Sequence, residues 1–410
     1  MSTYLNLILN KSDSLFSLTF FEIADKLLKV VIGITATFFV AAVLGPETYS
    51  SIAVGLAMMS IISMWINSAM RVPFFQNYHL TLFSFILAFF FLAILVATSI
   101  IVFRSSNSIL IENVLIIFII TSFFKFHNIL RLDYEKNLKQ KFFIIYENII
   151  LLFFLLFKIS VAIFFGDVKF IALAYMLESI SITAFFLFSI KTKLKLNPQY
   201  FIKIISESLE IIKKNSFVIM GSFVAVSYLA IDTIIIESVA SSKEVGNWGI
   251  SKRINQLIIT TLTVSSNVFV AAHLKSRNVD FFNTKNIKFM VAIFFLSIVL
   301  SIFWILFGRD LVNILLGDSY MDAYGYVKIL SIAWPAVALN AFIVQYILVN
   351  KLQIIILLVN IFLFFSVYLL TIFSYEYGGM NLISILMSSL MTISPFLLII
   401  FLFISKRVRN

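Results

Sequence analysis

A row of polar side chains follows one face of an otherwise apolar segment in the second half of the sequence. Its members recur every three or four residues, the period of an α-helix: Arg253, Gln256, Thr260, Thr263 and Asn267. A guanidinium group suits the binding of phosphate or carboxylate oxygens. On a helix that crosses a membrane, such a row has to face protein or water, because hydrocarbon offers no hydrogen bonds.

Asp232 lies on the predicted span that precedes this row. Two residues of a helical hairpin lie at equal depth when their mean number falls within the turn, and Asp232 and Arg253 average 242.5. We therefore expect these two residues to pair. Two interpretations stay open: a structural ion pair, or an anion site in which a phosphate takes Arg253 from Asp232 as protonation of the acid favours the exchange.

The same depth estimate predicts two further pairs, Lys125 with Glu147 and Lys158 with Glu178. Both are interpreted mainly as structural ion pairs, because an ionised group at mid-bilayer costs about 2.5–3.5 kcal/mol unless it finds a partner. Lys125 is also long enough to reach the inner membrane surface on its own.

A second charged face lies on the first apolar segment. Glu22, Asp25, Lys26 and Lys29 follow the spacing i, i+3, i+4 and i+7, so they share one helical face with the acids four residues before the lysines. One interpretation is an overlong helix whose first turns protrude into the cytoplasm. The other is a charged wall of a cavity.

The charges within the predicted spans are balanced. The six cations are Lys26, Lys29, Lys125, Lys158, Lys252 and Arg253, and the six acids are Glu22, Asp25, Glu147, Glu178, Asp232 and Glu237. An anionic substrate would therefore have to displace acids from their cationic partners.

The composition explains why these charges need partners. Hydrophobic residues make up 61% of the 410 residues and charged residues 12%, and the mean hydropathy is +1.05, far from the composition of a soluble domain. The apolar stretches are about 20 residues or longer without strict alternation, which favours membrane-spanning helices over barrel strands. The sequence therefore predicts an all-α, polytopic membrane protein.

Apolar runs between charged, Gly or Pro breaks predict twelve spans. They lie at about 15–43, 49–70, 79–103, 109–130, 142–165, 168–190, 215–238, 249–272, 287–307, 327–349, 354–374 and 380–404. Pro335 and Pro395 predict kinks in the tenth and twelfth spans.

The basic residues predict the orientation. With the N-terminus inside, the outer connections hold only Arg104, Lys169, Lys243 and Arg309, against twenty Lys and Arg in the inner ones. We expect both termini in the cytoplasm. This placement accounts for the net charge of +11, so nucleic-acid binding is not expected.

The longest inner connection divides the chain. We expect an N-terminal six-helix bundle over 1–195, a cytoplasmic amphipathic linker over 196–214 that suits the membrane surface, and a C-terminal six-helix bundle over 215–410.

Motifs for catalysis are missing from the sequence. It has no Cys, no GxxxxGK[ST] phosphate loop and three His without ligand spacing. The outer connections are short, so an enzyme would have to be an intramembrane one. We expect no enzyme, no metal and no cofactor.

Several short motifs, in order along nearly the whole chain, resemble the polysaccharide biosynthesis protein family, the flippases of O-antigen and capsule repeat units. They are Leu44–Tyr49 (LGPETY), Ile231-Asp232 with Thr233 in place of the usual basic residue, Val245–Trp248, Gly317–Tyr320 with Val327–Leu330, and Tyr377–Met380.

The resemblance implies the fold of the multidrug, oligosaccharidyl-lipid and polysaccharide exporter superfamily, with two six-helix bundles around a central cavity. It implies transport of undecaprenyl-pyrophosphate-linked oligosaccharides from the inner to the outer leaflet of a bacterial cytoplasmic membrane, by alternating access. The partners that it implies are the lipid-linked oligosaccharide, membrane lipids, a polysaccharide polymerase and a chain-length regulator.

The resemblance also directs the choice of substrate-binding residues. The expected set for the pyrophosphate and its surroundings is Arg253, Lys252, Lys26, Lys29, Asp25, Asp232, Gln256 and Asn267. Further contacts with sugars are expected from Tyr228, Trp248, Trp334 and Asn340. Coupling to H⁺ or Na⁺ stays open.

Three other functions remain as alternatives. A multidrug or cation antiporter of the same superfamily would favour acids in the cavity. An intramembrane O-antigen polymerase or ligase would typically carry a large outer loop, and a lipid II flippase would usually have additional helices.

Overall fold

The structure, a computed structural model, describes residues 15–64, 82–103, 109–136, 140–189, 198–274, 284–349 and 352–409. All regular secondary structure in these ranges is helical, which confirms the predicted all-α fold. Helices satisfy their own backbone hydrogen bonds, as a chain in hydrocarbon requires.

The helices are numbered along the chain. They are α1 (Leu15–Met59), α2 (Leu82–Phe103), α3 (Ile109–Phe124), α4 (His127–Lys136), α5 (Gln140–Phe165), α6 (Val168–Ser189), α7 (Pro198–Lys214), α8 (Ser216–Val239), α9 (Ser242–Leu274), α10 (Thr284–Leu316), α11 (Met321–Ser331), α12 (Trp334–Val349) and α13 (Gln353–Arg409). A π-helical turn over Ser60–Met64 continues α1, and a 3₁₀ turn over Asp318–Tyr320 precedes α11.

These helices accommodate the twelve predicted spans. In the ranges given above, seven helices are long and apolar enough to cross a membrane, or eight if the bent pair α11 and α12 forms one span. Two of them, α1 and α13, contain an internal break and so provide two spans each. The breaks in α1 and α13 raise the number of spans from eight to ten, and α2 and α9 bring it to twelve.

Glycine makes the two internal breaks. Gly45 in α1 has φ +73° and Gly379 in α13 has φ +59°, in the left-handed region that residues with a Cβ avoid. Pro46 follows Gly45 in the first turn of the next helix, where a proline is tolerated because a backbone N–H there has no partner within the helix. Both breaks fall between predicted spans.

A proline breaks the tenth span. The axes of α11 and α12 differ by 53°, and a turn at Ile332 and Ala333 separates them. Pro335 is the second residue of α12, and a proline ring clashes with the carbonyl four residues earlier, here that of Ser331, the last residue of α11. The predicted kink at Pro335 is confirmed.

The chain forms two compact units. Unit 1 consists of Met1–Ala36 and Val54–Ala230, and unit 2 of Thr37–Ala53 and Ile231–Asn410. The expected bundles over 1–195 and 215–410 remain a prediction. Within the expected linker over 196–214, the structure places α7.

Unit 1 is held together by α6, which packs against α3 and α5, while α2 packs against α7. Its interior includes a buried cluster of Leu130, Phe143, Ile182 and Phe186. A short turn joins α5 and α6, between the predicted fifth and sixth spans, and Gly166 has φ +59° there.

Unit 2 is built around α9, which packs against α11 and α12, while α13 packs against the same two helices. The segment Thr37–Ala53 of α1 joins this unit through close contacts. A Cβ on Gly246 would lie 1.9 Å from the carbonyl oxygen of Pro46, and the Tyr320 hydroxyl donates to the Ala41 carbonyl oxygen over 3.0 Å.

The contact between Gly246 and Pro46 gives a testable prediction. Gly246→Ala should destabilise the detergent-solubilised protein by about 1–3 kcal/mol and so lower its melting temperature, because the backbone of Pro46 would have to move away from the new Cβ. Gly33→Ala is the control, since a Cβ there meets nothing within 4 Å and both changes gain the same helix propensity. Equal melting temperatures for the two variants would contradict this packing.

Candidate functional site

Asp25 lies at the centre of a buried charge cluster in unit 1. Its Oδ2 accepts hydrogen bonds from Lys29 Nζ at 3.0 Å and from Arg131 Nη2 at 2.7 Å. Its Oδ1 accepts from Asn148 Nδ2 at 2.9 Å. One turn of α1 brings Asp25 and Lys29 together, while α4 provides Arg131 and α5 provides Asn148.

Glu147 completes the cluster beside Asn148 on α5. Its Oε2 lies 2.6 Å from Lys29 Nζ and 3.4 Å from Arg131 Nη1. Lys29 and Arg131 therefore each bridge both carboxylates. We call these five residues, Asp25, Lys29, Arg131, Glu147 and Asn148, the unit 1 cluster.

The cations of this cluster are more exposed than the acids. The side chain of Asp25 is 0% exposed and that of Lys29 is 20% exposed, while Glu147 is 6% and Arg131 15% exposed. Although the four charges sum to zero, the accessible part of the cluster is therefore mainly cationic. An approaching ligand meets ammonium and guanidinium groups first.

Unit 2 contains an ion pair with the same asymmetry. Lys252 Nζ lies 2.8 Å from Asp232 Oδ2, and the two side chains are 16% and 0% exposed. The other carboxylate oxygen of Asp232 accepts from the Thr233 backbone N–H at 2.8 Å. Lys252 also lies over the ring of Trp248, 5.7 Å from its centroid.

This pair corrects the expectation that Asp232 binds Arg253. The mean of 232 and 252 is 242, so Lys252 meets the depth estimate as well as Arg253 does. Depth alone does not decide which way a side chain points around the helix, and on α9 Lys252 is the residue that contacts Asp232.

Arg253 instead has a neutral partner. Its Nη1 donates to Gln256 Oε1 over 3.0 Å, and the guanidinium group retains further N–H donors. Gln256 is exposed, and Arg253, Thr260 and Thr263 are half-buried. The Asn267 side chain lies outside the described residues, so its place in the row stays a prediction.

A second polar face of α9 was missed in the sequence. Asn247, Ser251 and Asn255 recur every four residues and are buried. At 100° per residue they lie on the side of α9 opposite the Arg253 row.

This second face fixes α9 within unit 2. Asn247 Oδ1 accepts from the Ala323 backbone N–H at 3.1 Å, and the Ser251 hydroxyl donates to the Ala323 carbonyl oxygen at 3.1 Å. Asn255 Oδ1 accepts from Trp334 Nε1 at 2.8 Å. Because these bonds hold α9 against α11 and α12, the Arg253 row is kept on the less buried side.

Two expected sugar contacts do not fit the structure. Trp248 is 0% exposed and Trp334 1% exposed, because both rings fill the interior of unit 2. Asn340 accepts a hydrogen bond from Ser394 at 3.2 Å, and Tyr228 is half-buried.

The predicted pair of Lys158 and Glu178 is confirmed, with 2.5 Å between its nitrogen and oxygen atoms. Its side chains are 6% and 8% exposed, and the ammonium lies 3.9 Å from the Tyr175 ring centroid. Without an exposed cation, this pair has the character of a structural contact.

Glu147 contacts Lys29 and Arg131, two partners that the depth estimate did not give. A turn at Lys125 and Phe126 interrupts the helix, and the pairing of Lys125 with Glu147 stays a prediction. Glu22 and Lys26 lie on α1, but their side chains fall outside the described residues, and the role of Lys26 stays a prediction.

Metal ligands do not gather in the part of the chain that the structure describes. No group of three or more His, Cys, Asp or Glu side chains there could hold a metal ion.

The fold is shared with known membrane transporters. No protein-family model matches the chain, and no curated protein matches it in sequence. A solved structure of the lipid II flippase MurJ in an inward closed conformation superposes with a TM-score of 0.75 at 16% identity, covering 95% of this chain and 87% of that one.

Two MATE structures also match. An inward-facing multidrug resistance MATE family transporter of the MOP superfamily gives a TM-score of 0.67 at 12% identity, covering 91% of this chain and 93% of that one. The eukaryotic MATE transporter AtDTX14 gives 0.60 at 12% identity, covering 93% and 94%. At these identities the likeness shows a common fold.

The pairing in unit 2 can be tested by stability. Lys252→Gln should lower the stability of the solubilised protein by about 3–5 kcal/mol, because it leaves the Asp232 carboxylate buried without its counter-ion. Arg253→Gln should have little effect, and adding Asp232→Asn to Lys252→Gln should recover most of the loss. Thermal unfolding in one detergent measures all three, and an Arg253→Gln variant as unstable as Lys252→Gln would contradict the pairing.

Proposed function

We propose that this protein is a flippase for oligosaccharide repeat units linked to undecaprenyl pyrophosphate. It moves them from the inner to the outer leaflet of a bacterial cytoplasmic membrane, for the assembly of O-antigen or capsule. The observation that carries the proposal is the exposure of cations in front of buried acids, seen in the unit 1 cluster and again at Lys252.

A pyrophosphate fits this arrangement because its oxygens can replace the carboxylates as hydrogen-bond acceptors. Arg131 offers a planar guanidinium group, which binds phosphate oxygens in pairs. The compact ammonium group of Lys29 contacts the same two carboxylates, those of Asp25 and Glu147. The ligand would compete with Asp25 and Glu147 for these two cations.

Unit 2 offers a second group of anion ligands. Arg253 has only the neutral Gln256 as its described hydrogen-bond partner, so binding an anion there displaces no carboxylate. Lys252 is partly exposed beside it. We retain Lys26 and Asn267 as further contacts, with Asp25 and Asp232 holding the cations in place.

Transport in this direction needs no nucleotide site. An anionic headgroup that moves outward across an inside-negative membrane gains about 2.3 kcal/mol per charge for each 100 mV. The fold also suits alternating access, since solved MATE structures of the same fold are described as inward-facing and outward-facing. A ligand that takes Lys29 and Arg131 from Asp25 would free this acid to bind H⁺ or Na⁺, which would couple transport to either ion.

The second candidate is a multidrug or cation antiporter, which the MATE neighbours support. A cationic drug would need an accessible acid. In the described clusters the acids Asp25, Glu147 and Asp232 are buried behind their cations, which favours the anionic substrate.

Deletion of the gene followed by an assay of surface polysaccharide tests the proposal. Loss of surface glycan, with accumulation of the lipid-linked precursor, is the expected result. Normal surface glycan together with altered drug tolerance would overturn the flippase function in favour of an antiporter.

Complementation with single variants tests the residues. Arg253→Gln should reduce surface glycan about tenfold or more while the protein remains folded, because Arg253 makes no ion pair with a described residue. Arg131→Lys should also reduce it, because an ammonium does not reproduce two-point binding. Arg309→Gln, an exposed arginine on α10, is the matched control and should restore normal glycan.

Protein amount and monodispersity in detergent serve as the check on folding for each variant. Full glycan display by the Arg253→Gln and Arg131→Lys variants, at normal protein levels, would remove these residues from the substrate site.

A further inference from the structure

The helix α7 has one face packed inside unit 1. Ile204, Glu207, Ser208 and Ile211 are buried, and they lie on one side of the helix at spacings of three or four residues. The Ser84 hydroxyl donates to Glu207 Oε2 over 2.5 Å, and the Ser208 hydroxyl donates to the Ser84 carbonyl oxygen over 2.9 Å.

These contacts place α7 at the boundary of the membrane. Ser84 lies in the first turn of α2, at the start of its apolar stretch Phe83–Thr98. At its C-terminal end α7 is followed by Asn215, and the apolar span Ile219–Val239 of α8 begins a few residues later. The middle of α7 and its C-terminal end are thus tied to the ends of two apolar segments.

A second face of α7 is apolar and uncovered. Ile202 and Leu209 are 68% and 55% exposed, and Ile205 and Ile212 beside them are half-buried. The spacing i, i+3, i+7 and i+10 puts these four residues on one strip next to the buried face. We call Ile202, Ile205, Leu209 and Ile212 the apolar strip.

The third face of α7 is basic. Lys203 and Lys214 have side chains 64% and 63% exposed, and Lys213 is exposed as well. Glu210 is bonded to Lys214, and Glu207, besides its contact with Ser84, lies 3.8 Å from Lys203 Nζ. Three lysines and two acids still leave α7 with more positive than negative charge.

We propose that α7 binds the surface of an anionic phospholipid membrane. The apolar strip enters the acyl-chain boundary, and Lys203, Lys213 and Lys214 contact lipid phosphates. Amphipathic helices with lysines beside an apolar face bind membranes in this way, and anionic headgroups attract nearby lysines. This site is independent of the proposed substrate and would exist in a transporter of either kind.

Binding at this site has a consequence for α8. Only Asn215 separates the two helices, and its backbone N–H bonds back to Ile211 while its carbonyl accepts from Ile219. The membrane surface therefore sets the depth at which α8, the helix that carries Asp232, enters the bilayer.

Spin labelling tests the position of α7 directly, because the sequence contains no cysteine and each label needs one substitution. The full-length protein with Ile202→Cys, Leu209→Cys, Lys203→Cys or Lys214→Cys is labelled and reconstituted in bilayers of phosphatidylcholine and phosphatidylglycerol. We expect labels at 202 and 209 to collide with oxygen dissolved in the bilayer. Labels at 203 and 214, on the basic face, should collide with a water-soluble nickel reagent.

Two outcomes would overturn the proposal. One is equal access of the nickel reagent to all four labels, which would place the apolar strip in water. The other is shielding of the 202 and 209 labels from both reagents in native membranes but not in bilayers of purified protein, which would identify a protein partner instead.

The charge of the lipid is tested by lipid binding to the purified protein. Native mass spectrometry compares phosphatidylglycerol binding by wild type and by the triple variant Lys203→Gln, Lys213→Gln, Lys214→Gln, with Lys243→Gln as the control for a single exposed lysine elsewhere. We expect affinity to fall about fivefold for each α7 lysine and to stay unchanged in the control. Unchanged phosphatidylglycerol binding in the triple variant would overturn the role of the lysines.

Discussion

An ionised side chain inside a membrane has to be paired, because hydrocarbon gives it no solvation, and this constraint organises the charged residues of both units. Asp25 is surrounded by three donors from α1, α4 and α5. Asp232 is held by Lys252 and by the backbone of Thr233. In each case the acid is the buried member, so helices that meet around it are fixed relative to one another within their unit.

The same arrangement leaves the cations on the more accessible side of each pair. Lysine and arginine are long, so their charged ends stay near water while their carboxylate partners are covered. A site with no net charge can therefore present a cationic surface, as Lys29 and Arg131 do. The Lys158 and Glu178 pair lacks this asymmetry, because both of its side chains are buried.

Hydropathy, glycine and proline predicted the spans and their breaks, because lipid leaves few alternatives to the helix. The depth estimate also found Lys158 and Glu178. It gave the wrong partner for Asp232, since it contains no information on direction around a helix, and it missed Lys29 and Arg131 at Glu147, since it considers only adjacent helices. Arg131 comes directly after the predicted fourth span, 109–130, and its contact with Asp25 joins residues 106 positions apart. The spacing of four between Asn247, Ser251 and Asn255 could have indicated a second polar face of α9. Attention to the Arg253 row on the same helix left it unrecognised.

We propose that buried acids compete with an anionic substrate for the cations of the unit 1 cluster. The affinity of purified wild type and of Asp25→Asn for undecaprenyl pyrophosphate and for the lipophilic cation tetraphenylphosphonium tests this competition directly. We expect wild type to prefer the anion by about tenfold or more, and Asp25→Asn to bind it more tightly still, because Lys29 and Arg131 lose a competitor. Preference for the cation in wild type, abolished by Asp25→Asn, would contradict it.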